Sequence, residues 1–334
     1  MAQQKGRTIA VAIEVDDVLA FRADVLAVKY AQALYGVDAA VFARIFAGTG
    51  TVKHLLPSPR QCKLVETGGR LNCGAVLFVG VESLRRFGYP EIREFAQRAL
   101  ATVGELAPET RHLALTVHGP GYGLDEVEAF ESEIAGLFDT VNGGTFPTVL
   151  ERITIVEIDR GRAARLRKTL ARLLPDGLMH STREAARLGS LDSKAPGHLR
   201  AVGSASIVKP HVFVAMPFDE DMDDVFHYGI QGAVNAAGYL CERADISSYT
   251  GDIVEWIKER IVTAALVIAD LSTANANVYL EVGFAWGRNK PTLLLVRDLT
   301  DLKFDVKGHR CIIYKKIKDL EDALRKELAQ LKDH

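Results

Sequence analysis

The sequence predicts an α/β protein with two Rossmann-like domains, and three observations lead to that prediction. The chain has 334 residues, about twice the ~150 residues of an average domain, so we expect two hydrophobic cores. Residues 181–209 lose apolar periodicity and are rich in glycine, serine and proline, as segments between domains commonly are. On either side of them, short apolar runs alternate with amphipathic helical patterns, which favours parallel β-α-β units. We therefore predict domains over residues 1–180 and 210–334, joined by a linker over residues 181–209.

Composition and charge limit the classes of function. Hydrophobic residues make up 48% of the chain and charged residues 25%, as in ordinary globular proteins. A net charge of −2 provides no field that would attract a phosphate backbone, so polymeric DNA or RNA is not an expected partner. No apolar stretch approaches the ~18 residues of a membrane span, and the N-terminal segment lacks a signal-peptide cleavage pattern. We predict a cytoplasmic protein with no membrane partner.

Neither a metal nor a disulfide framework is expected. The four cysteines, Cys62, Cys73, Cys241 and Cys311, are scattered without a C-x-x-C pair, which is unlike zinc or disulfide-rich proteins. The nine histidines include no H-E-x-x-H spacing. The predicted cofactor requirement is therefore none.

The first domain contains apolar segments short enough to be strands, alternating with helical patterns. Helices are predicted near residues 91–103, 126–138 and 160–173. The strand candidates are TIAVAIEV, DVLAVK, CKLVE, GAVLFVGV, LALTV and ITIVEI.

A glycine-rich loop follows the LALTV segment and leads into a predicted helix. Glycines at a helix start let backbone N–H groups approach an anion, but this order matches neither the dinucleotide nor the P-loop motif. A plain tight turn is an equal alternative, and His118 suits a hydrogen-bonded turn residue better than a base. A second glycine turn could join the same cleft. The candidate signal-binding residues are Gly119, Gly121, Tyr122 and Gly123 of the first turn and Gly48, Gly50 and Lys53 of the second.

In strand order and glycine turns the first domain resembles macro-like domains, including the N-terminal domain of leucine aminopeptidases. The resemblance carries over no catalytic residue. A glycine-rich cleft without clustered acids, bases or metal ligands fits recognition better than chemistry, so we interpret this domain as a nucleotide sensor.

The second domain has short apolar runs, which are typical of strands in a sheet that is covered on both faces, and two clear helical patterns. One helix repeats Ile253, Trp256, Ile257 and Ile261, and the terminal helix places Leu320, Leu324, Leu328 and Leu331 on one face, which predicts that it covers the sheet. The strand candidates are HVFVAM, YLCERA, ALVIAD, TLLLV and RCIIY.

Glu281 is an isolated carboxylate in an otherwise apolar helical segment. Asn275 or Asn277 is placed to cap that helix, so Glu281 should lie in its first or second turn, where the positive helix end favours an anion. A carboxylate in a cleft at the carboxyl ends of parallel strands suits cleavage of a ribosyl bond, because it can stabilise or trap the cation left at the anomeric carbon. The alternative is a structural ion pair with Arg243, Arg288 or Lys290.

The second domain resembles the TIR-like and nucleoside 2-deoxyribosyltransferase-like superfamily over about residues 210–314. The matching segments are VFVAMPFDEDMDDVF, GYLCERAD, GDIVEWIKERI, ALVIADLSTANANVYLEVGFAWGRNKP and FDVKGHRCIIY. The resemblance implies a five-stranded parallel, flavodoxin-like sheet.

The same resemblance implies roles for individual residues. Glu281 matches the glutamate that acts at the ribose, and Asp270 matches the strand-end aspartate that lines the site. The first turn differs from the serine-rich turn of eukaryotic TIR domains, which leaves the substrate open. The implied substrate-binding residues are Asp270, Met216, Pro217, Phe218, Asp219, Arg243, Asp245 and Asn277.

These implications lead to one principal hypothesis and two alternatives. In the first, the chain is a bacterial antiphage defence effector: the first domain senses a nucleotide second messenger, such as a cyclic oligonucleotide, the chain self-associates, and the second domain cleaves NAD+ and releases nicotinamide. The second changes the substrate to a nucleoside or nucleotide, with N-glycosidase or deoxyribosyltransferase chemistry. The third makes the second domain a non-catalytic nucleotide-binding module.

Overall fold

A computed structural model describes residues 7–47, 56–181, 195–203, 205–244, 252–303, 306 and 308–332. The chain forms two compact units. The first comprises Met1–Gly119 and Glu126–Ile207, and the second comprises Pro120–Asp125 and Val208–His334. Each unit is built around its own sheet, so the predicted α/β fold class is confirmed.

The first unit has a seven-stranded sheet among its described residues, in the order β3-β4-β2-β5-β6-β1-β7. The five inner strands are parallel, whereas the edge strands β3 and β7 are antiparallel to their neighbours. The predicted strands are confirmed, and β7 was missed because a three-residue strand has no measurable periodicity. The strands are β1 (Thr8–Val15), β2 (Val25–Tyr30), β3 (Cys62–Glu66), β4 (Ala75–Gly80), β5 (His112–Leu115), β6 (Arg152–Glu157) and β7 (Leu178–His180).

Five α-helices accompany this sheet in the described part of the unit. The sequence did not predict α1, because Tyr35 at its N-cap makes no side-chain capping bond and no start signal marks the helix. The helix α5 lies inside the predicted linker, within the range of the first unit, and the linker bounds stay a prediction. The helices are α1 (Gly36–Ile45), α2 (Tyr89–Leu106), α3 (Glu126–Gly143), α4 (Arg160–Leu173) and α5 (Ala195–Ala201).

The second unit has a five-stranded parallel sheet in the order β12-β11-β10-β8-β9. Numbered within the unit, this order is 5-4-3-1-2, which is the flavodoxin-like arrangement that the sequence predicted. From β8 the chain first adds β9 on one side of the sheet and then continues with β10 on the other side. Ligands of such sheets bind beyond the carboxyl ends of the strands where the order switches, here between β8 and β10. The strands are β8 (His211–Ala215), β9 (Leu240–Arg243), β10 (Leu266–Asp270), β11 (Thr292–Val296) and β12 (Cys311–Ile313).

Helices cover both faces of the second sheet. After the turn that follows β8 the chain is helical from Glu220 to Ala236, with a π-helical stretch at Val225–Gln231 between α6 and α7. On the terminal helix, Leu320, Leu324 and Leu328 are buried as predicted, but Leu331 is 42% exposed because the covering face ends one turn earlier. The helices are α6 (Glu220–Asp224), α7 (Gly232–Ala236), α8 (Asp252–Thr263), α9 (Ala276–Gly287) and α10 (Ile317–Lys332).

Candidate active site

A cavity of about 390 Å³ opens in the second unit, and Glu281 is part of its wall. Two helices, α8 and α9, and the turn after β8 form the walls. Most of the lining is apolar, and the polar side chains come from both helices and the turn before α9. The lining residues are Met216, Pro217, Phe218, Ile253, Val254, Ile257, Lys258, Ile261, Asn275, Asn277, Val278, Leu280, Glu281 and Phe284.

The start of α9 sets the position of Glu281. Asn275 has extended backbone angles and its side-chain oxygen accepts a hydrogen bond of 2.9 Å from the Asn277 backbone N–H, so it is the N-cap. Glu281 is the sixth residue of the helix and therefore lies in the second turn, as predicted. Asn277, Glu281 and Phe284 follow each other at spacings of four and three residues, which places them on one helix face. That face is turned to the cavity.

Burial dominates the electrostatics of Glu281. It raises the pKa of the Glu281 carboxyl to about 7. The sequence-based expectation was that the positive helix end would favour the ionised form, but the loss of hydration outweighs that effect here. Glu281 is thus a carboxyl that gains and loses its proton close to neutral pH.

The structural ion pair considered from the sequence is not formed. Arg243 pairs with Asp223 at 2.9 Å, the Arg288 guanidinium stacks 5.3 Å from the ring of Phe284, and Lys290 donates to the Ala264 carbonyl at 3.0 Å. Within the part of the chain that the structure describes, no hydrogen bond or ion pair reaches the Glu281 carboxylate. A half-buried carboxyl without a partner, open to a cavity, is the arrangement expected of a reactive group.

The turn after β8 supplies three of the predicted binding residues. Met216, Pro217 and Phe218 line the cavity, and Phe218 is 44% exposed, so one face of its ring is free to meet a planar ligand. Asp219 is different: it is exposed, serves as the N-cap position of α6 and does not line the cavity. The turn therefore contributes apolar surface rather than charge.

Arg243 lies behind the cavity wall instead of in it. It is 7% exposed, pairs with Asp223, and its guanidinium carbon lies 5.5 Å from the ring centroid of Phe218 and 4.4 Å from that of Phe226. In this structure Arg243 supports Phe218, and the substrate contact predicted for Arg243 stays a prediction. Asp245, predicted beside it, lies outside the described residues.

Asp270 is enclosed and does not line the cavity. Its side chain accepts a hydrogen bond of 2.6 Å from the Tyr314 hydroxyl and one of 2.9 Å from the Ser272 backbone N–H. Burial, together with the Asp270 charge, raises the pKa of Tyr314 to about 12. In this structure Asp270 holds the turn that leads to α9, and the substrate-binding role predicted for it stays a prediction.

Sequence reasoning missed Lys258 and the cavity wall of α8. Ile253, Ile257 and Ile261 predicted this helix by their spacing, and they are buried, at 5%, 8% and 1% exposure. They also form the cavity wall, which periodicity cannot distinguish from core packing. Lys258 carried no signal beyond its place on the same helix.

The predicted signal-binding residues are described only in part. Gly119 and Gly123 have φ angles of 112° and 97°, which favour glycine, and residues Pro120–Tyr122 form a 3₁₀ turn in which Tyr122 is buried. Pro120–Asp125 belongs to the second compact unit rather than to the first. Gly121 has open space where a Cβ would lie, and signal binding by this turn stays a prediction. Gly48, Gly50 and Lys53 lie outside the described residues.

The first unit contains a separate group of buried titratable side chains. Lys29 forms a buried ion pair with Asp38, and Glu133 is 0% exposed, with the backbone N–H of His118 as a nearby donor that lowers its pKa less than burial raises it. Burial raises the pKa of Glu133 to about 8 and, with the Lys29 charge, lowers that of His118 well below its usual range. His118 packs edge-on against Phe95 at 4.4 Å, and its Nε2 lacks a described partner, so it is not the satisfied turn histidine that we expected.

Neither a metal centre nor a membrane span is found in the described ranges. No group of three or more His, Cys, Asp or Glu side chains there could hold a metal ion. Over the same residues, no helix combines the length and apolarity needed to cross a bilayer.

Comparison of the chain with protein-family models and with curated proteins finds no match. Among solved structures, a CMP N-glycosidase of Clostridium botulinum is 19% identical, covers 35% of this chain and 98% of its own, and has a TM-score of 0.31. A macrodomain of Oceanobacillus iheyensis with MES bound is 12% identical over 51% of this chain and 99% of its own, with a TM-score of 0.37. A mutant of that macrodomain with ADPR is 11% identical over 52% and 100%, with a TM-score of 0.38. Similarities at this level assign no role to any residue.

Proposed function

We propose that the second unit cleaves the N-glycosidic bond of a nucleotide, that its substrate is NAD+, and that Glu281 is the catalytic carboxylate. One observation carries the proposal: of the described residues that line the cavity, Glu281 is the single acid, and no described cation neutralises it. The resemblance of its helix to that of TIR-like domains, in which this glutamate acts at the ribose, agrees with this role.

The reaction needs an anion beside the anomeric carbon. The bond between C1′ and the nicotinamide nitrogen breaks, and its electron pair stays with the nitrogen. The ribosyl cation that remains is stabilised or captured by the ionised Glu281 carboxylate. Water then adds at C1′ and releases a proton, so that NAD+ and water give nicotinamide, ADP-ribose and H+. If the ribosyl group is instead captured by the adenine of the same molecule, the product is cyclised.

A single acid suffices for this substrate. The nicotinamide nitrogen of NAD+ is already cationic, so the leaving group departs neutral without being protonated. The described cavity lining has no second acid that could protonate a leaving group. A charged leaving group therefore fits the site better than a neutral base.

The cavity also fits the reacting part of NAD+ in size and polarity. Its volume of about 390 Å³ lies at the small end of ligand sites, which suits a nicotinamide with its ribose. The exposed face of Phe218 can stack on the nicotinamide ring, while Asn275 and Asn277 offer amide groups to ribose hydroxyls.

A second candidate is cleavage of a neutral-base nucleoside or nucleotide. The observation that favours it is the pKa of Glu281, since a carboxyl with a pKa of about 7 carries a proton often enough at neutral pH to protonate a departing base. The two candidates predict opposite pH dependence. NAD+ cleavage requires the ionised carboxylate and rises with pH, whereas protonation of a base by Glu281 falls with pH.

For the first unit we propose nucleotide sensing within a bacterial defence effector, in line with its macro-like resemblance. Binding of a nucleotide messenger would drive self-association and complete the catalytic site.

The test is nicotinamide release from NAD+, with and without a panel of cyclic oligonucleotides, by the full chain and by Glu281→Gln. Stimulated release that Glu281→Gln abolishes supports the proposal. Release of bases from nucleosides but never of nicotinamide favours the second candidate, and binding without any turnover favours a non-catalytic module.

A further inference from the structure

Lys258 and Glu281 face the same cavity from its two helical walls. Lys258 is on α8 and Glu281 is on α9, and both side chains line the cavity. The strands on either side of these helices are parallel, so each helix begins at the carboxyl edge of the sheet. Lys258 is the seventh residue of its helix and Glu281 the sixth of its own, which places them about 9 Å and 7.5 Å from the two helix starts at 1.5 Å per residue. A cation and a carboxyl thus lie at similar depth on two neighbouring helices of the cavity wall.

The ammonium group of Lys258 can exchange its present partner, Glu255, for another anion. Its Nζ lies 2.7 Å from a carboxylate oxygen of Glu255, one turn earlier on the same helix, and the two side chains are 44% and 62% exposed. Ion pairs this exposed are weak, because both groups remain well hydrated. A phosphate group, with more charge and more acceptor oxygens than a carboxylate, can take the place of Glu255.

Arg243, the cation that stacks behind Phe218, is engaged away from the cavity. Arg243 is 7% exposed, pairs with Asp223 and is packed against Phe226, so it does not reach the cavity. Of the cavity-lining residues that the structure describes, Lys258 is the single cation. Among the described lining residues, charge is therefore divided between one positive and one titratable acidic position, and most of the others are apolar.

We propose that Lys258 binds the 5′-phosphate of the substrate and makes the site selective for phosphorylated nucleotides over nucleosides. A nucleotide carries its phosphate on C5′ and its base on C1′, at opposite sides of the ribose ring. With the phosphate held at the wall of α8, C1′ is directed to the wall of α9, where Glu281 acts. The C1′ part of this inference rests on the proposed function, whereas the phosphate part concerns binding alone.

The test measures binding in a Glu281→Gln background, in which turnover does not disturb the equilibrium. Calorimetric titration compares nicotinamide mononucleotide with nicotinamide riboside, which differ by the 5′-phosphate alone. The mononucleotide is expected to bind about tenfold or more tightly, as for one charge-assisted contact. Adding Lys258→Met should abolish that difference, while Lys258→Arg should retain most of it. Glu255→Gln, which removes the competing carboxylate, should increase the preference.

Lys326→Met is the matched control, since Lys326 is an exposed lysine of α10 away from the cavity. It should leave the preference unchanged. Equal binding of the two ligands, absence of binding by either, or a preference that survives Lys258→Met would overturn the assignment. The proposed function fails separately: a phosphate preference that depends on Lys258, without hydrolysis of any nucleotide by the Glu281-containing chain, leaves the binding site standing and removes the chemistry.

Discussion

Two glutamates in this chain, one in each unit, have their pKa raised by the same cause but stand in different surroundings. Burial raises the pKa of Glu281 to about 7 and that of Glu133 to about 8. Glu281 is half-buried and faces a cavity, whereas Glu133 is 0% exposed on α3. A raised pKa is therefore not enough to identify a reactive group. Access to a space of substrate size distinguishes the candidate site from a buried charge that destabilises the fold.

The largest expected difference between the two glutamates is catalytic. Glu281→Gln should lower kcat for nicotinamide release by about 10³-fold, because it removes the charge that stabilises the ribosyl cation. Glu133→Gln, the same substitution at an enclosed position, should leave kcat within about twofold of the parent, since Glu133 does not line the cavity. Steady-state kinetics of the two variants side by side checks both expectations. Comparable losses in the two would remove the distinction between them.

The second difference concerns stability and has the opposite sign. The pKa of Glu133 is higher in the folded chain than its ordinary value of 4.5, so its charged form is penalised and stability is lost as pH rises from about 4.5 to 8. Glu133→Gln removes that penalty and should stabilise the chain by roughly 3 kcal/mol at pH 7. Urea unfolding of the parent and the variant at pH 5, 7 and 8 measures it. The gain should be smallest at pH 5, and a variant that is less stable at every pH contradicts this account of Glu133.

The third difference is in the pH dependence of turnover. Below pH 7 the Glu281 carboxyl is protonated and cannot stabilise a cation, so kcat/KM for NAD+ should fall about tenfold per pH unit below 7 and level off above it. Glu133→Gln should show the same profile, because its titration is separate from the reaction. A profile that falls as pH rises from 6 to 8 would instead identify Glu281 as an acid acting on a neutral base.

The smallest expected effect is on substrate affinity through Phe218. Arg243 stacks on this ring from behind and is held by Asp223, so Arg243→Met should loosen the stacking surface and raise KM about three- to tenfold, with little change in kcat. Phe218→Leu should raise KM by a similar factor, and the double variant should add little, since both act on one surface. Additive losses would indicate that Arg243 contacts the substrate directly.

The sequence predicted the secondary structure of the second unit but not the electrostatics of its candidate site. The five strands, the capping Asn275 and the place of Glu281 in the second turn followed from apolar runs and short-range signals. Burial depends on residues distant in the chain, so the raised pKa of Glu281 was not predictable. The side-chain direction of Asp270 was not either, because the end of a strand fixes an edge of the sheet but not which side of it the carboxylate meets.

The first unit shows a related contrast. Its inner parallel strands were predicted from continuous apolar runs, whereas α1 lacks a capping side chain and β7 is three residues long, so neither left a local signal. The group around Lys29 joins β2, α1, α3 and the segment after β5. Such long-range proximity is visible in the folded chain alone.

The central claim is that Glu281 breaks the bond between C1′ and a base, and the products of NAD+ test it most directly. Chromatography with mass detection, in the presence of an activating nucleotide, should show nicotinamide and an ADP-ribose product from the parent chain and from Glu133→Gln, and intact NAD+ from Glu281→Gln. Cleavage to AMP and nicotinamide mononucleotide, or nicotinamide release by Glu281→Gln at the parental rate, would contradict the claim.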